Sequence, residues 1–312
     1  MTGAAGLLGG NVSARLLEAG ATVTGLDIAW DGPRAALATP GVTKIHGDVR
    51  DAALLSQLVG DLRFTTVIHL AAQTLVGPAL LDPVDTFSNN IEGTWTLMEA
   101  CRGAGTVGSI VVASSDKAYG DWSGRPYRED MALRARHPYD VSKAATDLLA
   151  QSYAGTYDLP ITITRCGNLY GGGDLNWSRI VPGTIRSVLE GEAPVIRSDG
   201  TLIRDYLHVD DAARGVLLLA GTSHERPGLR GEAFNFAGRD RMTVLDIVHR
   251  ILALMHSRLQ PNVLALDVTE IPEQRVASTK ARRILAWRPQ VSMDDGLRDA
   301  ISWYRANLST VT

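Results

Sequence analysis

Thr2-Gly3-Ala4-Ala5-Gly6-Leu7-Leu8-Gly9 leads into a helical pattern, and Asp27 follows 18 residues after Gly9, closing the next extended run in Gly25-Leu26-Asp27. Such glycines let a backbone turn tightly and approach a pyrophosphate, while the amino end of the helix brings free N–H groups and positive dipole. Gly3, Gly6, Leu7, Leu8 and Gly9 are therefore the candidate phosphate contacts. Asp27 is placed to accept from a ribose 2′-hydroxyl and would repel a 2′-phosphate, so NAD is expected in preference to NADP. The alternative is a tightly packed helix cap with no ligand.

A dinucleotide fold needs a central first strand directly before this loop, yet only Met1 precedes Thr2. An unfilled slot in mid-sheet would leave two rows of backbone groups unpaired. The expectation is a missing first strand, through a mis-assigned start or a lost leader; the other reading is a degenerate, weakly binding protein.

The remaining rhythm is α/β. Residues 21–26, 42–46, 65–70, 109–113 and 161–164 read as strands, and 9–19, 52–58, 85–104 and 138–157 as helices. Their alternation predicts a doubly wound parallel sheet. Beyond residue 170 the chain is richer in Gly, Pro and Arg, with helices expected at 182–190, 210–220, 243–255 and 294–308. The reading is a dinucleotide-binding domain over 1–170, with segments near 205–220 and 233–236 returning to it, and a smaller α+β substrate domain over 171–312.

Charge and composition exclude several classes. With 31 basic and 34 acidic residues the net charge is only −3, too weak a field for a dedicated nucleic-acid binder. No apolar run is long enough to span a bilayer, and no export signal opens the chain. Cys101 and Cys166 match no metal-ligand or redox spacing, and the histidines are scattered, so no metal is expected and a reducing cytoplasm suits the chain.

Tyr139 and Lys143 lie four residues apart in Tyr139-Asp140-Val141-Ser142-Lys143, which on a helix puts phenol and ammonium on one face. An adjacent ammonium lowers a phenol's pKa, letting it take a hydroxyl proton while hydride leaves the same carbon. Only four lysines occur among 31 basic residues, and roughly 0.1 such pairs would arise by chance. Val111-Val112-Ala113-Ser114-Ser115-Asp116-Lys117-Ala118-Tyr119-Gly120 runs a buried strand into small and charged residues at its carboxyl end, where open α/β sheets bind ligands. Ser115 is suited to hydrogen-bond a substrate oxygen opposite Tyr139. Asp116 and Lys117 add an acid and a base that a simple oxidoreductase does not need.

The glycine loop, the Ser…Tyr-x-x-x-Lys set and Arg204-Asp205-Tyr206-Leu207-His208-Val209-Asp210 resemble the extended short-chain dehydrogenase/reductase family acting on nucleotide sugars, over nearly the whole chain. Ser115-Asp116-Lys117-Ala118-Tyr119-Gly120, with Arg165-Cys166-Gly167-Asn168-Leu169-Tyr170-Gly171, most resembles its CDP-glucose 4,6-dehydratases. The dTDP-glucose branch carries Asp-Glu where this chain has Asp116-Lys117. The resemblance implies a Rossmann sheet and NAD. It also implies a reaction in which Tyr139, with Lys143 and Ser115, deprotonates the sugar 4-hydroxyl, a base removes the carbon 5 proton, and a protonated Asp116 releases the 6-hydroxyl as water. Lys117 is the candidate carbon 5 base. Asp116 would need a raised pKa and Lys117 a lowered one.

By the same resemblance Asp48 and Val49 contact adenine and Leu70, Ala71 and Ala72 line the cofactor. Arg204 and Arg275 would bind diphosphate, and Asn168 and Asn176 sugar or phosphate. A homodimer through helices 85–104 and 138–157 is implied as well. The rival readings are a 4-epimerase or 4-ketoreductase on this scaffold, or a non-catalytic nucleotide-binding protein.

Overall fold

Val, Ile and Thr crowd Thr66–His69, Ser109–Ala113 and Ile161–Cys166, and such stiff side chains favour extended backbone buried on both faces. The computed structural model describes residues 1–31, 39–122, 124–266 and 270–311. Its strands are β1 (Thr24–Asp27), β2 (Thr43–His46), β3 (Thr66–His69), β4 (Ser109–Ala113), β5 (Ile161–Cys166), β6 (Asn168–Tyr170), β7 (Val195–Ile196), β8 (Ile203–His208), β9 (Ala233–Phe236), β10 (Arg241–Thr243) and β11 (Asn262–Val263). The helices are α1 (Leu7–Glu18), α2 (Ala52–Leu62), α3 (Val76–Leu81), α4 (Pro83–Phe87), α5 (Gly93–Ala104), α6 (Pro138–Tyr157), α7 (Ile180–Glu190), α8 (Val209–Glu225), α9 (Val244–Leu254), α10 (Thr279–Leu285) and α11 (Met293–Val311).

The main sheet is parallel. β1 pairs with β2 on one side, and β3, β4, β5 and β9 follow in that order on the other. Residues 1–3 lie between the two halves. Thr2 bridges both Leu26 and His69; Leu26 N donates to Met1 O at 2.8 Å, Gly3 N to Leu26 O at 2.9 Å, and Thr2 N to Ile68 O at 3.0 Å. The central position is thus filled at its carboxyl end, the end that launches the glycine loop.

Helices cover both faces. Ile110 and Val112 of β4 pack with Leu55 and Val59 of α2, Leu97 and Met98 of α5, and Ala150 and Ala154 of α6. Val111 points to the opposite face, joining a cluster with Val12 of α1, Val216 and Leu219 of α8, Leu285 and Trp287. Each fully buried aliphatic side chain there contributes about 1.5–3 kcal/mol. A third cluster, built by α7, α9 and α11 with Ile196 and Tyr206, packs around the smaller mixed sheet β10-β8-β6.

The helix expected over 85–104 is interrupted. It comprises α4, a wide π turn at Ser88–Glu92, and α5. A hydrophobic repeat does not distinguish one wider turn from a regular one. Among the described residues no helix is long and apolar enough to cross a membrane.

Candidate active site

The site is a cleft of about 1940 Å³ at the carboxyl ends of β1, β3, β4 and β5, continuing onto α7 and β8. That is roughly twice the upper end of ordinary small-molecule pockets, about 1000 Å³, and is space for two extended ligands.

The glycine loop forms one end. A Cβ on Gly9 would stand 2.0 Å from Gly3 O, so packing of the loop on α1 demands glycine there. A Cβ on Gly6 would meet only Gly3 O, at 3.4 Å, an ordinary contact. The folded chain therefore does not require glycine at position 6, and a ligand pressed against the loop would. Asp27 Oδ2 accepts from Ala5 N at 2.9 Å and Oδ1 from Ala29 N at 3.0 Å, so the carboxylate anchors the loop and faces the cleft with lone pairs to spare. Leu7, Leu8, Asp48, Val49, Leu70, Ala71 and Ala72 complete this wall. Bonding to Arg50 holds the Asp48 carboxyl below the usual carboxylate range. These residues fit a dinucleotide: a tight amide-lined turn, a carboxylate for a ribose, and an apolar slot beside it.

His69 at the end of β3 lies beneath the loop. It bonds Thr2 Oγ1 at 2.8 Å and Thr94 Oγ1 at 3.1 Å, and burial pushes its pKa down to about 3, so the ring is neutral.

The middle of the cleft is set by β4 and α6. Pro138 starts α6, where its missing N–H costs nothing. A buried fork from Arg165 to Asp147, two bonds of 2.8 Å, fastens β5 to α6, and Arg165 Nη1 donates to Tyr119 Oη at 2.7 Å. Tyr119 ends the single 3-10 turn Asp116–Tyr119, capped by Ser115, whose Oγ accepts from Lys117 N at 3.2 Å. Ser115, Asp116, Lys117, Tyr139 and Lys143 all line the cleft.

Their electrostatics are dominated by burial. It pushes the Tyr139 phenol up to about 12, opposed by a hydrogen bond with Ser115 and the charge of Arg179. It pulls Lys143 down to about 8, and the ammonium donates to Ala113 O at 2.6 Å. The lowering of the phenol by Lys143 expected from their spacing is not what governs Tyr139 here: desolvation does, and the lysine is engaged on a backbone carbonyl. Burial raises the Asp116 carboxyl, the direction an acid catalyst needs, against the lowering influence of Lys117. Ser115 Oγ donates to Asp116 Oδ1 at 3.1 Å.

At the far end, Asn168 and Asn176 line the cleft, and their amide nitrogens are buried with no acceptor among the described residues. Arg204 also lines it, but its guanidinium is held by the Ile271 carbonyl at 2.8 Å and Glu270 at 2.5 Å. Arg275 does not line the main cleft. It borders a second hollow of about 190 Å³, which Arg204 also lines, bonds Gly124 O at 2.7 Å and pairs with Glu273. Residues 272–277 run as a strap beside Ile203.

Several contributors escaped the sequence reading. Asn90, within the wide turn, accepts from Gln73 N and donates to Gln73 O and Ser142 Oγ, pinning the cofactor-side loop to α6. Asp140, beside Tyr139, is pushed up to about 6 by burial. Arg179 reaches from the start of α7 to Thr74 Oγ1 at 3.0 Å, and Trp177 lines the cleft. Among the described residues no group of three His, Cys, Asp or Glu is arranged to hold a metal.

A family model for the NAD dependent epimerase/dehydratase family matches residues 1–237. The chain is 31% identical to a dTDP-glucose 4,6-dehydratase of Streptomyces antibioticus, over 98% of this chain and 92% of that one. The structure of a dTDP-glucose 4,6-dehydratase of Streptomyces venezuelae with NAD bound superposes with a TM-score of 0.87 at 32% identity, covering 99% of this chain and 97% of that one. A UDP-glucose 4-epimerase of Thermotoga maritima, solved with UDP-glucose, gives 0.90 at 26% identity, with 98% of each chain covered. The chain belongs to the NAD dependent epimerase/dehydratase family.

Proposed function

We propose that this protein is a nucleotide-sugar 4,6-dehydratase that uses NAD and converts a CDP-glucose-like substrate to the 4-keto-6-deoxyhexose. The observation that carries the reading is Asp116: a buried carboxyl with raised pKa, one residue beyond Ser115, in a cleft shared with Tyr139. Epimerisation needs no such acid; elimination of a hydroxyl does.

The glycine loop and Asp27 would hold NAD, which would supply a reversible hydride acceptor for sugar carbon 4 and carbon 6. Tyr139, which must act as the phenolate, takes the 4-hydroxyl proton while Ser115 holds the same oxygen. The 4-ketone acidifies the carbon 5 proton, which Lys117 removes. Asp116 then gives its proton to the departing 6-hydroxyl and water leaves; with hydride restored at carbon 6 and a proton at carbon 5, there is no net redox change. Asn168 and Asn176 offer their unpartnered amides to the sugar or diphosphate. Arg204, paired with Glu270, borders that end of the cleft and could meet the diphosphate. Lys117 in place of a second acid supports the CDP-glucose branch over the dTDP-glucose branch.

We extend the reading to a division near residue 170 and to a homodimer through α5 and α6, where Trp95 and Leu148 are exposed apolar side chains. The epimerase alternative draws on the Thermotoga maritima likeness. Incubation with NAD and, separately, CDP-glucose, dTDP-glucose, UDP-glucose and GDP-mannose tests the proposal: a product one water lighter from CDP-glucose is expected. An isomer of unchanged mass would favour the epimerase.

A further inference from the structure

Gln274 lies 158 residues from Asp116 in the chain, yet its side chain stands behind both Asp116 and Lys117. It is fully buried and does not line the main cleft; it borders the smaller hollow on the other side. Its Nε2 donates to Asp116 Oδ2 at 3.2 Å, and its Oε1 accepts from Lys117 Nζ at 3.2 Å. The backbone there is fixed: Gln274 N donates to Ile203 O at 3.0 Å, Ile203 N donates to Pro272 O at 3.0 Å, and Tyr127 N donates to Arg275 O at 2.7 Å.

An amide in this position does something neither an apolar side chain nor a second charge would do. Its oxygen must face the ammonium and its N–H₂ the carboxylate, since the reverse sets donor against donor and acceptor against acceptor. Asp116 and Lys117 form no ion pair with each other among the described residues; each is held by opposite ends of one amide instead. A direct ion pair would hold Asp116 as a carboxylate and Lys117 as an ammonium, the two forms that neither protonate a leaving hydroxyl nor remove a carbon proton. The interposed amide keeps Asp116 and Lys117 aligned without a direct ion pair between them.

We propose that Gln274 is a positioning residue for the elimination of water, spacing Asp116 and Lys117 on one amide so that they act as separate acid and base. This rests on the dehydratase reading. The other titratable groups near Asp116 are Tyr139 and Asp140 on α6, Cys166, Arg204 and Asp205, and Tyr127, all unchanged by substitution at position 274.

The test uses full-length Gln274→Met, which keeps the side chain's length without the amide, and Gln274→Glu, which keeps an acceptor for Lys117. NMR of aspartate carboxyl carbons, with Asp116→Asn assigning the signal, reads the Asp116 titration with no turnover required. Loss of one donor should raise its pKa by about one unit in Gln274→Met, and the adjacent anion should raise it further in Gln274→Glu. In turnover, Gln274→Met should lose about 10–100-fold in water elimination while 4-oxidation and KM stay within about threefold, and Gln274→Glu, whose carboxylate pairs with Lys117 and holds it as the ammonium, should not recover the loss. An unmoved Asp116 titration, or a Gln274→Met enzyme that eliminates water at the wild-type rate, overturns the proposal. So does an equal fall of oxidation and elimination, the mark of a merely structural role. A wild-type enzyme that oxidises but never eliminates water removes the dehydratase reading instead, and the carboxyl titration still decides whether Gln274 couples the pair.

Discussion

The Lys143 ammonium donates to the Ala113 carbonyl at 2.6 Å, fastening the reactive face of α6 to the last residue of β4. Burial makes this anchor costly, because the pKa falls from 10.5 to about 8. The unfolded chain binds more protons between those two values. The penalty is therefore complete below pH 8, about 3 kcal/mol, and vanishes as pH rises through 10.5. Lys143→Met should abolish turnover yet raise Tm at pH 7, after allowing about 1 kcal/mol for the orphaned carbonyl. Thermal melts of both proteins between pH 7 and 10.5 check this: the variant's advantage should shrink with pH.

The contrast between Gly6 and Gly9 separates binding from folding. Gly6→Ala should melt within about 2 °C of wild type without NAD and lose at least about tenfold in NAD affinity. Gly9→Ala, with its Cβ 2.0 Å from Gly3 O, should lower Tm sharply. Calorimetry with and without NAD reads both.

Asp27→Asn should lower the ratio of NAD to NADP affinity at least about tenfold by removing the charge that repels a 2′-phosphate. It should also lower Tm modestly, because both carboxylate oxygens receive loop amides. Equilibrium binding of the two dinucleotides is the measurement.

His69 sets an acid limit. Its pKa falls from 6.5 to about 3 on folding, so the unfolded chain binds more protons across that window. Its contribution to stability is present above pH 6.5 and declines by about 1.4 kcal/mol per pH unit below it, until about pH 3. Replacing it with Asn should flatten denaturant midpoints across pH 4–6 relative to wild type.

What was legible in the sequence was local. Gly3, Gly6, Gly9 and Asp27 announce a loop, a helix and a strand end within one short stretch, and Tyr139 and Lys143 share a face by helical spacing alone. The alternation of strands and helices was equally readable, because burial on both faces of the sheet writes itself as short apolar runs. The wide turn at Ser88–Glu92 was not, since periodicity carries no sign of it. Gln274 and Arg179 were not, because they lie more than a hundred residues along the chain from their partners and only tertiary packing sets them beside Asp116 and Thr74. Arg275 borders the second hollow, with Arg204, and not the main cleft, a placement that residue type alone does not give.

The most direct test of the central claim is the reaction of CDP-glucose with the NAD-loaded enzyme in heavy water. Removal of the carbon 5 proton by Lys117 and its replacement from solvent, together with loss of the 6-hydroxyl through Asp116, predicts a product that has lost one water and carries one non-exchanging deuterium at carbon 5. A product of unchanged composition with no deuterium on carbon would contradict the account and identify chemistry confined to carbon 4.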